Sequence, residues 1–157
     1  MHVIGIAGGI GTGKSTIAAH VASRRGGVHI DADRVAHDVL EEPAVIEQIR
    51  TTFGDGVIDL DGSVNRRRLG VRVFTDAARR ASLNAIVHPA IIARCAAEVE
   101  SAKAKGADVV VVDAALLLEV TMSFAFDLLI ALTCDPDIRL ARLRARGGWS
   151  DAELRAR

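Results

Sequence analysis

The stretch Val3-Ile4-Gly5-Ile6-Ala7-Gly8-Gly9-Ile10-Gly11-Thr12-Gly13-Lys14-Ser15-Thr16 decides the fold of this chain. Val3 to Ala7 is a short apolar run closed by Gly8 and Gly9, the pattern of a buried parallel strand feeding a turn. A helix is predicted over 14–24. Between them, Gly8 to Ser15 satisfies G-x-x-x-x-G-K-[ST] in the strand-to-helix context the motif requires. Glycines let backbone N–H groups turn inward around phosphate oxygens, and the helix N-terminus adds partial positive charge. Lys14 then reaches the β- and γ-phosphates, and the Ser15 hydroxyl is placed to ligate Mg²⁺. Gly9, Ile10, Gly11, Thr12, Gly13 and Thr16 complete the loop that holds the nucleotide. A dinucleotide fingerprint beginning at Gly9-x-Gly11 would need a third glycine at position 14, where Lys14 stands. The stretch therefore predicts a nucleoside triphosphate site.

The rest of the chain supplies the layers around that loop. Val28 to Ile30 reads as a second short strand ended by Asp31, with helical patterning over 32–40 and a break at Pro43. Positions 45–53 are again helix-like, and Asp55-Gly56 and Asp61-Gly62 mark turns between Gly54 and Gly62. From Asn65 to Lys105 the sequence is rich in Ala and Arg with helical spacing, interrupted by His88-Pro89. Two or three helices are expected there, with a break at that pair. Asp108 to Asp113 carries four consecutive valines and predicts a strand, and Asp127 to Thr133 repeats the pattern. Asp135-Pro136 then starts a helix running to about Arg146. Strands separated by helical segments give an α/β layered fold with a parallel sheet.

Composition bounds the function. The 157 residues, half of them hydrophobic, suffice for one globular domain with a core that needs neither disulfide nor metal. Twenty basic residues against 20 acidic ones leave no net charge, which argues against non-specific binding to nucleic acid or to an anionic membrane. Cys95 and Cys134 lack Cys-x-x-Cys spacing, so a reduced, cytoplasmic compartment is expected. The apolar run after Met1 is too short for a signal-peptide core or a membrane span. Small molecules are the expected partners, and nothing in the sequence specifies an oligomer.

A phosphate loop alone does not say where the γ-phosphate goes. The Asn-Lys-x-Asp segment with which GTPases read guanine is absent, and the chain is short for a motor or remodelling ATPase. A small-molecule kinase fits the length, and it needs a group to orient or deprotonate an acceptor hydroxyl. Asp31-Ala32-Asp33 supplies candidates at the carboxyl end of the second strand, where open α/β sheets bind ligands. Alternation in an extended segment would put both carboxylates on one side. Asp31 is equally a candidate cap for the following helix. Asp113, ending the valine strand, either binds Mg²⁺ or caps the next helix.

Arginine placement says more than net charge. Arg139, Arg142 and Arg146 fall at i, i+3 and i+7 on one helix face, with no acid between Ile138 and Arg146. Such a face either clamps a polyphosphate or is simply solvated. Gly147-Gly148 beside it suits a mobile cover. A second basic run, Arg66-Arg67-Arg68 with Arg72, Arg79 and Arg80, is offset within the run only by Asp76. It either holds an anionic acceptor or forms a solvated helix. His88 before Pro89 reads most simply as a structural residue at a helix break.

Taken together, these residues resemble the dephospho-coenzyme A kinases. The matching pieces are Ile4 through Thr16, Ile30-Asp31-Ala32-Asp33 with Ala36, Phe53-Gly54, Asp61-Gly62, Arg66 through Leu69 and Val73-Phe74. Leu83-Asn84-Ala85-Ile86-Val87-His88-Pro89, Asp113 through Glu119 and Arg142 through Arg146 extend the likeness across the chain. The resemblance implies transfer of the ATP γ-phosphoryl group to the ribose 3′-hydroxyl of dephospho-coenzyme A, with Mg²⁺. It also implies a three-layer phosphate-loop kinase core over 1 to about 40 and about 106–145, a helical substrate-binding insertion over about 60–105, and a lid around 146–151. In that frame Asp33 is the acceptor-orienting base, Lys14 the γ-phosphate ligand, Ser15 and Asp113 the metal residues, and Arg142 with Arg146 the nucleotide clamp. Arg66 and His88 fall to the substrate. Family members often have Pro-Leu-Leu-Phe-Glu where this chain has Ala115-Leu116-Leu117-Leu118-Glu119. They also continue beyond the helix in which Arg157 stands, so a final strand and helix are expected to be lacking.

Overall fold

The structure, a computed structural model, describes residues 1–24, 26–115, 117 and 121–147, the side chain of Arg146 excepted. Its sheet has four strands, β1 (His2–Gly8), β2 (Val28–Asp31), β3 (Val109–Asp113) and β4 (Leu128–Leu132), in the order β2-β3-β1-β4. All pairings are parallel. Ile6 lies opposite Asp113, Asp31 opposite Asp113 on the other side, and Ile6 opposite Ile130. Every residue of β3 is buried, so both faces of that strand are covered. This is why its valines run consecutively instead of alternating with polar residues. Among the described residues the edge strand β4 is less covered, and Leu128 and Leu129 are about half exposed.

Six α-helices accompany the sheet among the described residues: α1 (Lys14–Arg24), α2 (Ala32–Asp38), α3 (Pro43–Phe53), α4 (Arg66–Phe74), α5 (Ala77–Ala104) and α6 (Pro136–Arg146). Short 3₁₀ turns follow α2 and α3. The α/β class and the parallel sheet agree with the sequence expectation, and strand ends agree to within one residue. Pro43 and Pro136 each occupy the first residue of a helix, where the missing N–H costs nothing. Asp135 caps α6, its Oδ1 accepting from the N–H groups of Asp137 and Ile138 at 2.9 and 3.4 Å.

The chain forms two compact units, Met1–Ala32 with the chain from Glu98 on, and Asp33–Ala97. In the first, Ala18 and Ala22 of α1 pack on Ile6, Val109 and Val111, small residues that let the helix lie close on the sheet. In the second, Val45, Ile49, Phe53, Val57, Val64 and Leu69 form the core.

Two expectations are corrected. The first concerns Pro89, which lies inside α5 and does not end it. The proline leaves the carbonyl of Ala85 without its helical donor, but Ala85 is exposed and water can reach it. Leu83, Ile86 and Val87 before the proline and Ala90 after it pack against one apolar cluster, so burial holds the helix on both sides. The break falls instead at Thr75-Asp76. There Asp76 Oδ1 accepts from the Arg79 N–H at 3.0 Å and caps α5. The second concerns Asp33. The strand ends at Asp31 and helix begins at Ala32, so Asp33 occupies the first turn of α2 and strand alternation does not govern its direction.

Candidate active site

The loop between β1 and α1 is built around one carbonyl. Gly9 O accepts from the Thr12 N–H at 3.3 Å, the Thr12 hydroxyl at 2.8 Å and the Lys14 ammonium at 3.3 Å. Lys14 is buried to 6% exposure, an unusual state for a cation that has only a carbonyl as partner among the described residues. Gly11 and Gly13 have φ of 82° and 96°, conformations that cost an L side chain free energy and let the backbone fold over on itself. A Cβ on Gly11 would also lie 3.1 Å from Leu143 Cγ.

Helix α6 closes one side of the loop. Arg142 Nη1 donates to the carbonyls of Gly11 and Thr12, both at 3.4 Å, and lies 3.7 Å from Cys134 Sγ. The Arg139 guanidinium lies beside Gly9, within 3.5 Å of where a Cβ would stand. Residues Gly11, Thr12, Gly13, Thr16, Ile17, Arg142 and Ala145 line a cleft of about 400 Å³. Two arginines on one helix face thus flank a glycine-rich loop that leads into a helix N-terminus, an arrangement suited to a polyphosphate. Arg139 was one of three candidates on the helix face, and Cys134 and Ile17 carried no sequence signal.

At the carboxyl ends of the strands, Asp113 is fully buried. Its Oδ2 accepts from His29 Nε2 at 3.1 Å, while its Oδ1 has no partner among the described residues. The hydrogen bond to Asp113 raises the His29 pKa above its ordinary value; burial opposes the rise, and the charges of Asp113 and Asp31 add to it.

A family model for dephospho-CoA kinase matches residues 2–157. The chain belongs to the dephospho-CoA kinase family. Among curated members, the dephospho-CoA kinase of Leifsonia xyli is 44% identical over 91% of this chain and 73% of its own length. That of Symbiobacterium thermophilum is 40% identical over the whole chain and 66% of its own length, and that of Geobacillus kaustophilus 39% over 98% and 77%. A crystal structure of a Thermus thermophilus protein superposes with a TM-score of 0.82 at 31% identity, covering 99% of this chain and 78% of that one. The dephospho-CoA kinase of Campylobacter jejuni shares the fold, with a TM-score of 0.63 at 21% identity over 98% and 77%.

The other residues singled out in the sequence sit as follows. Ser15 is exposed in the first turn of α1, and Gly9 and Thr16 are also exposed. Ile10 is half-buried. Arg66 donates to His37 O at 3.1 Å and to Glu41 Oε1 at 3.4 Å. The donors of the basic run are more fully engaged than its local sequence suggests. Arg68 pairs with Asp59, Arg72 donates to Phe53 O, and Arg80 donates to Phe74 O at 2.7 Å. Partners distant in sequence and backbone carbonyls, neither visible in the run itself, take up those donors. His88 is half-buried in α5. The Arg146 side chain, Leu116, Leu118, Glu119 and the lid from position 148 on lie outside the described residues.

The donor set around the loop fits a nucleotide-bound Mg²⁺. That hard cation takes oxygen ligands, one or two from protein and the rest from phosphate and water. The Ser15 hydroxyl and the unpartnered, buried Asp113 Oδ1 are such donors. No cluster of three or more His, Cys, Asp or Glu exists among the described residues that would hold an ion by itself. No helix among them is long and apolar enough to cross a membrane.

Proposed function

We infer that this chain transfers the γ-phosphoryl group of ATP to the ribose 3′-hydroxyl of dephospho-coenzyme A, giving coenzyme A and ADP. The family match over residues 2–157 carries the reading, and the phosphate loop flanked by Arg139 and Arg142 supports it.

In this reading the loop N–H groups from Gly9 to Thr16 hold the phosphates, and Lys14 exchanges its bond to Gly9 O for oxygens of the β- and γ-phosphates. Being buried, the ammonium acts in a medium that screens it weakly, where it is worth most to a transferring phosphoryl group. Arg142 clamps the nucleotide beside the loop and stabilises charge on the transferred group, with Arg146 as the second clamp. Asp33, two residues beyond the end of β2, accepts the hydrogen bond of the 3′-hydroxyl, orients its oxygen toward the γ-phosphorus and takes its proton. Mg²⁺, when bound, would neutralise part of the negative charge of the phosphates. Ser15 and Asp113 are the residues that would hold it, and they supply only oxygen donors. The helical segment over about 60–105 is read as the acceptor-binding insertion, with Arg66 and His88 facing the substrate, and positions 146–151 as the lid. Cys95, buried, and Cys134, half-buried, are not joined in a disulfide, which supports the cytoplasm as the compartment.

The deciding experiment is ADP release with a panel of acceptors, followed by identification of the phosphorylated position. ADP formation that requires dephospho-coenzyme A and yields the 3′-phosphate is expected. Equal turnover with a nucleoside monophosphate, or ATP binding without transfer to any acceptor, overturns the assignment.

A further inference from the structure

We propose that His29 is a positioning residue for Asp113, holding one oxygen of its carboxylate so that the other is presented to the nucleotide's divalent cation. The inference rests on the reading of Asp113 as a cation ligand given above.

The geometry follows from register. In β2 the odd positions His29 and Asp31 share one face, while Ile30 points to the other and is 1% exposed. Asp31 lies opposite Asp113, which makes His29 the diagonal neighbour of Asp113 on that same face. The His29 side chain is 22% exposed and Asp113 not at all, and Nε2 stands 3.1 Å from Oδ2. An ionised carboxylate is only an acceptor, so the imidazole donates here in its Nε2–H tautomer and in its cationic form alike. The role therefore does not depend on the charge of His29.

The unequal treatment of the two oxygens carries the inference. A buried carboxylate is costly unless both oxygens find partners. Oδ2 has His29, whereas Oδ1 has none among the described residues. A carboxylate that only tied β2 to β3, or capped the following segment, would gain from a protein donor on Oδ1 as well. Supporting partners that orient a ligand change metal affinity by about 10–100-fold when removed. The signal in the sequence is slight: one polar residue in the apolar run Val28-His29-Ile30, with a partner 84 positions away.

The test uses Mn²⁺ as a spectroscopically visible probe, titrated into the full chain saturated with a non-hydrolysable ATP analogue. His29→Phe is expected to weaken Mn²⁺ binding about tenfold or more, with analogue affinity in EDTA unchanged. His29→Gln, whose amide can still donate, is expected to recover most of the loss. Mn²⁺ affinity in His29→Phe within twofold of the parent, alongside a clear loss in Asp113→Asn, overturns the role of His29 alone. Full affinity in Asp113→Asn removes Asp113 as a ligand and this inference with it. Should His29→Phe not fold, ¹⁵N-histidine labelling of the parent chain replaces it. Addition of Mg²⁺ to the analogue complex is expected to shift the His29 Nε2 signal, and an unmoved signal overturns the proposal.

Discussion

Arg142 Nη1 donates to the carbonyl of Gly11 at 3.4 Å, joining residues 131 positions apart. The contact puts a permanent cation against the backbone that would surround a triphosphate, and it does so through a helix whose own start is fixed by Asp135. Replacing Arg142 with Ala is expected to lower kcat/KM for ATP by about 10²–10³-fold, the size of loss seen when one donor to a developing charge is removed. Arg142→Lys should recover little, because an ammonium offers one nitrogen, whereas the guanidinium can hold the loop carbonyls through Nη1 and still present its other N–H groups to a phosphate. Steady-state kinetics on both variants checks this; equal activity of the lysine variant and the parent would refute it.

Gly11 is expected to tolerate no side chain. Its φ of 82° disfavours any L side chain, and the 3.1 and 3.2 Å approaches to the Leu143 and Arg139 side chains require those side chains to shift slightly. Gly11→Ala should cost about 1–3 kcal/mol in backbone strain alone and weaken ATP binding further by shifting the arginines. Gly26→Ala is the control, since its φ is also positive at 59° but nothing stands within 4 Å of the added methyl. Calorimetric titration with ATP should separate the two, the second variant binding like the parent.

Asp33→Asn is expected to lower kcat by about 10²–10⁴-fold while leaving ATP affinity unchanged, as removal of a group that acts only on the acceptor proton should. The KM-against-kcat split is the readout. A variant that turns over normally would transfer the role of base to another residue.

Pro89→Ala is expected to stabilise the protein. Within α5 the proline forgoes the bond to Ala85, at about 3 kcal/mol of helix propensity. The greater freedom of alanine in the unfolded chain offsets about 1 kcal/mol of the gain. A rise of about 1–2 kcal/mol in denaturant unfolding is the expected net effect. Loss of stability would show that packing around α5 depends on the proline ring.

Much of the nucleotide site is readable in order along the chain, because its chemistry is local. A glycine loop, a lysine and a serine at fixed spacing need only the strand before them and the helix after them. The all-buried valines of β3 and the Asp135-Pro136 helix start are legible for the same reason, each depending on neighbours a few residues away. Pro89 is the informative miss. Its local signal says break, and packing of Leu83, Ile86, Val87 and Ala90 on one core overrides it. The basic run around Arg66 is only partly legible for a related reason, since Asp59, Glu41 and the Phe53 carbonyl are brought to it by the fold.

The sequence by itself therefore determined the α/β class, the phosphate loop and the family likeness, all carried by short-range spacing. Only the tertiary structure decided the strand order β2-β3-β1-β4, the closure of Arg142 on Gly11, and the pairing of His29 with Asp113. Those features join residues 82 to 131 positions apart. Their geometry is set by strand register and by apolar packing summed over whole elements, and no single stretch of the chain encodes it.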